Sequence, residues 1–279
     1  MSVTLSQADT NSYTWGKIGE HNVVIASLPT GLYGTTSAAN TASNLLSSLL
    51  QARVGLLHRD IRLGNVIVSQ PRGTTGGVVQ YDSRKASMPP LILLQALAIL
   101  QAEHKLGESR IPELLATIPW KHARMANGSK DKNGYAHQGF ENDRLFESSY
   151  NHVAGHDCRS SDAKEEIERE KRDSADPEIH YGTIASGNIL VKDAATRDKI
   201  MEHIDKDCIC FEMEAASLMD HFPCLIIRGI CDYADSHKND RWQRYASATA
   251  AAYGKELLGY VPTRDLQETE RAIDVLRSR

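Results

Sequence analysis

The feature that most constrains this chain is an alternation. Short apolar runs recur along it, and segments with helical spacing of Leu, Ile and Ala stand between them. The strongest run is Leu225-Ile226-Ile227-Arg228-Gly229-Ile230. Others are Val23 to Leu28 after a His21-Asn22 turn, Val66-Ile67-Val68-Ser69 closed by Gln70-Pro71, His180 to Ser186, and Cys208 to Glu212. Between them, Leu45, Leu46, Leu49 and Leu50 fall at helical spacing, and Pro90 to His104 reads as an apolar helix entered through Pro89-Pro90. Ala194 to Ile204, the stretch after Glu212 through Asp220, and Ala246 to Leu258 complete the helical set. Strands alternating with helices predict an α/β fold with a central mixed, largely parallel twisted sheet surrounded by helices. Residues 1–262 are read as one domain and 263–279 as an appended tail helix. Trp120 to Ser174 is polar and irregular, and its charge-dense part, Asp162 to Asp173, reads most simply as a solvated loop or helix surface.

Composition narrows the function classes. Over 279 residues the chain is 41% hydrophobic and 24% charged, enough for a real core, and a net charge of −4 argues against a nucleic-acid binder or a basic membrane-surface protein. The longest apolar stretch, Leu91 to Leu100, is interrupted by Gln95 and falls short of the ~20 residues a bilayer needs. Met1-Ser2-Val3-Thr4 shows no secretory pattern. Five cysteines form no even framework, and Cys208, Cys210, Cys224 and Cys231 sit in or beside apolar segments as buried free thiols do. The chain is expected to be cytoplasmic, with no membrane and no nucleic acid as partner. Cys208-Ile209-Cys210 lacks metal-ligand spacing and no His cluster accompanies it, so neither metal nor cofactor is expected.

His58-Arg59-Asp60-Ile61-Arg62-Leu63-Gly64-Asn65 fits the catalytic-loop pattern of protein kinases. Fewer than sixty residues precede it, with no Gly-rich loop or strand lysine, and neither D-F-G nor A-P-E follows. The segment is read as a turn feeding the strand at Val66.

The chemistry is concentrated in Phe211-Glu212-Met213-Glu214-Ala215-Ala216 and in Cys231-Asp232-Tyr233-Ala234-Asp235. Two carboxylates, Glu212 and Glu214, close a strand and open a helix; Asp232 stands beyond the end of the strongest strand. Ligands of open α/β sheets bind outside the carboxyl ends of strands, so Glu214 and Asp232 could face one pocket. Equally, Asp232 could be a helix N-cap and the glutamates dipole-favoured residues of a first turn. On pattern alone both readings stand.

These segments resemble the nucleoside phosphorylase and nucleosidase superfamily, whose members carry an E-M-E-A segment followed by (S/C)-D-x-A-D at a strand end. Further matches run in order: Gly31 to Ser43 is similar to the family's glycine-containing helix start, Asp60 to Ser69 to its L-G-D-V-V-V-S strand, and Ile184-Ala185-Ser186-Gly187-Asn188 to its I-A-S-G-D segment. The wording is closest to a fungal branch in which such domains head multidomain proteins. The resemblance covers roughly residues 9 to 262 and implies a sheet partly closed as a barrel. It implies cleavage of the N-glycosidic bond of purine nucleosides, adenosine-type in the first place, through a ribosyl cation-like transition state. Asp232 would protonate or hydrogen-bond the leaving purine, and Glu214 would bind the ribose hydroxyls. Met213 would pack on sugar and base, with Glu212, Asn188, Leu190, Val191 and Arg62 as further substrate-binding candidates. For Leu190 and Val191 ordinary core is the competing reading, and for Arg62 an exposed turn. His237, Lys238 and Arg241 could close over substrate or form a solvated loop.

Two family features are not matched. No strand is read between Met1 and Asp9, and Arg53-Val54-Gly55-Leu56-Leu57 runs straight into His58 where relatives carry a V-G-I-G-G-G-V-P-type loop. That loop contributes to the phosphate site of phosphorylases, so hydrolysis is preferred to phosphorolysis. A phosphate-dependent phosphorylase and a nucleoside- or nucleotide-sensing module with weak turnover are the alternatives. Family members are homo-oligomers, and Leu91, Ile92, Leu93, Leu94, Leu97, Ile99 and Leu100 exceed one helix face. At least a homodimer is therefore expected.

Overall fold

The computed structural model describes residues 12–27, 51–54, 60–72, 76–81, 88–128, 133–153, 158–187, 189–204, 208–221 and 223–263. The glycine-containing stretch 31–43, the leucines at 45–50, Asn188 and the tail from 264 to 279 lie outside the described residues.

Two strands come first. β1 (Ser12–Ile18) and β2 (His21–Ser27) form an antiparallel hairpin closed by Gly19-Glu20. Gly19 has φ +57°, the left-handed conformation that a two-residue connection requires. His21 and Asn22, expected as the turn, are the first residues of β2 instead. Nor is β2 a buried strand: the hairpin is a two-stranded sheet of its own, with Ile25 46% and Trp15 54% exposed.

The main sheet holds β3 (Gln51–Val54), β4 (Val66–Ser69), β5 (Val78–Gln80), β6 (Ile179–Ser186), β7 (Cys208–Glu212) and β8 (Ile227–Asp232), in the order β4-β8-β3-β7-β6-β5. β6 is long enough to serve three neighbours. Its first half, Ile179 to Gly182, pairs with β4, and its second half pairs with β5 and β7. The β4–β6 pairing bends the sheet back on itself, so it curls toward a barrel without forming a complete one. Pairings β4–β6, β5–β6, β6–β7 and β3–β8 are parallel; β3–β7 and β4–β8 are antiparallel. The sheet is thus mixed and largely parallel, as the alternation predicts. β8 begins two residues later than its apolar run; at Ile226 the N–H donates to Ser69 Oγ at 3.0 Å and the carbonyl accepts the Ser69 N–H at 2.9 Å. The strand runs through Asp232.

Around the sheet lie α1 (Leu91–Leu106), α2 (Ile111–Lys121), α3 (Ala123–Asn127), α4 (Ala194–His203), α5 (Ala215–His221) and α6 (Gln243–Leu258). The period-two alternation of β4 feeds a core on both faces. Ile67 packs in the cluster with Ile184, Ile230 and Trp242, while Val66 and Val68 pack with Leu97, Leu100 and Tyr253. α6 crosses β8 so closely that a side chain at Gly229 would run into the backbone of Ala246. Glu256 of α6, though buried, is satisfied by Ser109 Oγ (2.8 Å), the Arg110 N–H (2.9 Å) and His104 Nε2 (3.0 Å), which ties α6 to the α1–α2 turn. α1 buries Ala96, Leu97 and Leu100 but leaves Leu91, Ile99 and Leu106 exposed. Among the described residues no helix is long and apolar enough to cross a membrane.

The stretch from Trp120 to Ser174 is irregular in part, with short 3-10 turns such as Ala163–Glu165, although α2 and α3 carry order to Asn127. It is not solvated. Leu145 and Phe146 are in the interior, and the side chains of Arg169 and Arg172, within the charge-dense run, are mostly covered. Asp143 is paired with Arg169, and Glu178 and Asn65 hold Arg172.

Candidate active site

β7 and β8 run in opposite directions, since β3 is parallel to β8 and antiparallel to β7. Register nevertheless brings their ends together: Arg53 of β3 is the pairing partner of Asp232 on one side and of Phe211 on the other. Two strand spacings, about 10 Å, therefore separate the backbone at Asp232 from that at Phe211. The carboxyl-end rule expected for a parallel sheet does not account for this meeting; the shortness of β7 does.

At the end of β7, Glu212 is 4% exposed and fully employed on one oxygen. Its Oε2 accepts the N–H groups of Glu214 (2.8 Å) and Ala215 (2.7 Å), capping α5, and forms an ion pair with Arg228 Nη2. Glu214 places Oε2 3.5 Å from the same Arg228 nitrogen and accepts the Met213 N–H at 3.3 Å. Glu212 is thus a cap and counter-ion. Arg228, 1% exposed in mid-strand, is shared by two carboxylates, while its Nε and Nη1 and Glu212 Oε1 make no hydrogen bond among the described residues. Sequence reasoning counted Arg228 only as part of an apolar run. An arginine inside a strand buried on both faces was the signal that a buried acid awaits it.

At the end of β8, Asp232 is also 4% exposed. Oδ1 accepts the Ala234 N–H at 3.1 Å, and Oδ2 lies 3.2 Å from Lys238 Nζ. Ala234 has φ +54°, outside the comfortable range of an L-residue, and turns the chain sharply after Asp232. Asp235 then accepts the His237 N–H at 2.9 Å. His237 is buried, stacked on Phe146 with ring centroids 4.1 Å apart, and its Nε2 has no partner among the described residues. Neither Lys238 nor His237 belongs to a solvated loop. Asp232, Asp235, His237, Arg241 and, from the irregular segment, Asn142 and Arg144 line a cavity of about 380 Å³. Its volume matches a small-molecule site.

Other candidates are placed as follows. Met213 is partly exposed beside Glu214, and neither lines the 380 Å³ cavity among its described lining residues. Leu190 is exposed, whereas Val191 is core, packed in the cluster with Phe211 and Ala234. Arg62 is not an exposed turn residue: Asp60 Oδ1 (2.6 Å), the Glu170 carbonyl (2.8 Å) and Asp143 (3.7 Å) surround its guanidinium. Asn188 is outside the described residues. Among those described, no group of His, Cys, Asp and Glu could hold a metal ion. Burial pushes the Cys210 thiol well above its ordinary range, so this cysteine behaves as a small hydrophobe.

No protein-family model matches the chain. It is 38% identical over 93% of its length to a nucleotide-binding leucine-rich repeat (NLR)-like protein of Hyaloscypha variabilis, covering 27% of that protein. A 78-residue part, 26% of the chain, is 42% identical to the ATP nucleosidase Cap17 of Escherichia coli, covering 15% of it. The chain therefore spans little more than a quarter of the longer relative and less of the other. Among solved structures it is similar to a 5′-methylthioadenosine/S-adenosylhomocysteine nucleosidase of Colwellia psychrerythraea, determined with adenine, with a TM-score of 0.54 at 13% identity over 92% of this chain and 86% of that one. At that identity the likeness is one of fold.

Proposed function

From a chain with the nucleoside phosphorylase and nucleosidase fold, we propose hydrolysis of the N-glycosidic bond of purine nucleosides, adenine-bearing ones first. The observation that carries the reading is Asp232, a buried carboxylate at a strand end, held by Lys238 and the Ala234 N–H on the wall of a nucleoside-sized cavity. A purine departs well only when N7 is protonated or strongly hydrogen-bonded, and a carboxyl group in a closed site supplies that help. Lys238 Nζ lies 3.2 Å from the Asp232 carboxylate there. Glu214, anchored near Arg228, would engage the ribose hydroxyls and place negative charge by the developing cation. Hydrolysis is preferred because the sequence from Arg53 to Asp60 has no Gly-rich anion loop.

The similar proteins support an adenine base by their names: one cleaves ATP, another is a methylthioadenosine nucleosidase. The test is release of free purine from adenosine, its 5′-thio and 5′-triphosphate forms, inosine and guanosine, with and without phosphate. Release of adenine without phosphate is expected. A strict phosphate requirement would turn the reading to phosphorolysis, and binding without release to a sensing module, the role that the NLR-like relative favours. Assembly as a homodimer through the face of α1 that carries Leu91, Ile99 and Leu106 belongs to the same proposal; light scattering at micromolar concentration should give twice the chain mass.

A further inference from the structure

Tyr233, the residue after Asp232, is gripped at both ends. Its hydroxyl donates to Asp143 Oδ1 and accepts from Arg169 Nη1 at 2.7 Å, while the Arg169 guanidinium sits 5.4 Å from the ring centroid. Arg169 also donates to the Asp143 carbonyl and lies 3.4 Å from its carboxylate. On the other side, Arg197 Nη1 of α4 donates to the Tyr233 carbonyl at 3.2 Å. Both arginines are largely buried, and they lie 64 and 36 positions from Tyr233 in the chain. Neither is among the described residues that line the 380 Å³ cavity.

The grip falls where the chain needs one. Ala234 with positive φ is strained and persists only if its surroundings enforce it. The same turn returns the Ala234 N–H to Asp232 Oδ1, so the conformation of Tyr233-Ala234 sets the direction of the carboxylate. Burial and the Asp143 charge hold the Tyr233 phenol well above its ordinary pKa, which keeps the hydroxyl a donor. Burial works against the charge on Arg169, but Tyr233 and Asp143 more than compensate, and its pKa is raised.

We propose that Arg169 and Arg197 are positioning residues, which act through Tyr233 to aim the Asp232 carboxyl at the leaving base. The proposal rests on the reading of Asp232 as the acid. On this view the charge-dense run of the irregular segment holds the active-site turn from outside the cavity.

Two readouts test it on the intact chain. Hydrogen–deuterium exchange of the Asp232–Asp235 amides reads the grip without turnover, and steady-state kinetics read its use. Arg169→Met and Arg197→Met should each raise local exchange about tenfold. They should lower kcat by ~10- to 100-fold with KM changed less than about threefold, the pattern of a misaimed group rather than lost binding. Arg169→Lys should recover part of kcat. If a methionine variant does not fold, Tyr233→Phe carries the test, since it keeps the ring and removes only the hydroxyl between Arg169 and Asp143. Unchanged exchange, or faster exchange with normal kcat, overturns the proposal. A wild-type chain that releases no purine defeats the functional reading alone, and the exchange arm still decides whether the arginines fix the turn.

Discussion

The ends of β7 and β8 carry the same sequence signature, a carboxylate after a buried apolar run, and they use it in opposite ways. Glu212 turns inward: two backbone N–H groups and a buried guanidinium take one of its oxygens, so that it starts α5 and neutralises Arg228. Asp232 lines a cavity, with the Ala234 N–H and the partly exposed Lys238 among its partners and a neighbour fixed by two arginines. Equal burial does not separate the two acids. Their partners do: one oxygen of Glu212 is taken by two backbone N–H groups and a buried guanidinium, whereas Asp232 is paired with a lysine at the cavity.

The contrast can be broken experimentally. The largest effect is expected from Glu212→Gln, which leaves Arg228 buried with Glu214 alone: about 3–5 kcal/mol of stability should be lost, read as a lower urea midpoint. Wild-type stability would mean that Glu214 suffices as counter-ion. Asp232→Asn should do the reverse, leaving the thermal transition nearly in place and cutting purine release by at least ~100-fold. Near-normal turnover would remove Asp232 from the chemistry. Glu214→Gln sits between these cases. Its loss should be about tenfold larger on ribosides than on 2′-deoxyribosides, the scale of one charge-assisted hydrogen bond. Equal losses on both substrates would move Glu214 into the structural group with Glu212.

Much of this was legible in sequence wherever a pattern was long or doubly buried. β4, β6, β7 and the apolar part of β8 stand out as runs of Val, Ile and Cys, and α1, α4 and α6 as periodic segments with clear entries. β3 was hidden because Gln51 to Val54 follows leucines at helical spacing, and β5 because it has three residues beside Gly76-Gly77. β1 could have been read from Tyr13, Trp15 and the Gly19-Glu20 turn. α2 carries Pro112 and Pro119, which mask its periodicity; the first sits harmlessly in the opening turn. Of the candidate site, the carboxylates were visible because they stand at the ends of apolar runs in the sequence. Asp143, Arg169 and Arg197 were not, since each acts on Tyr233 across at least 36 positions in the chain. Leu145 and Phe146 within the polar stretch from Trp120 to Ser174 were the available hint that this region packs inward.

The pairing of β6 with three strands has a consequence for a chain that matches one part of a much longer relative. An open six-stranded sheet presents two edges, each a row of unpaired N–H and C=O groups on which a neighbouring β-strand can add. Here β4 spends its outer side on β6, so one terminus of the sheet is sealed from within. Among the described residues the edge that remains is β5, only Val78 to Gln80. Three residues offer too short a template for stable strand addition, and the fold can sit beside other modules at high local concentration without stitching its sheet to theirs.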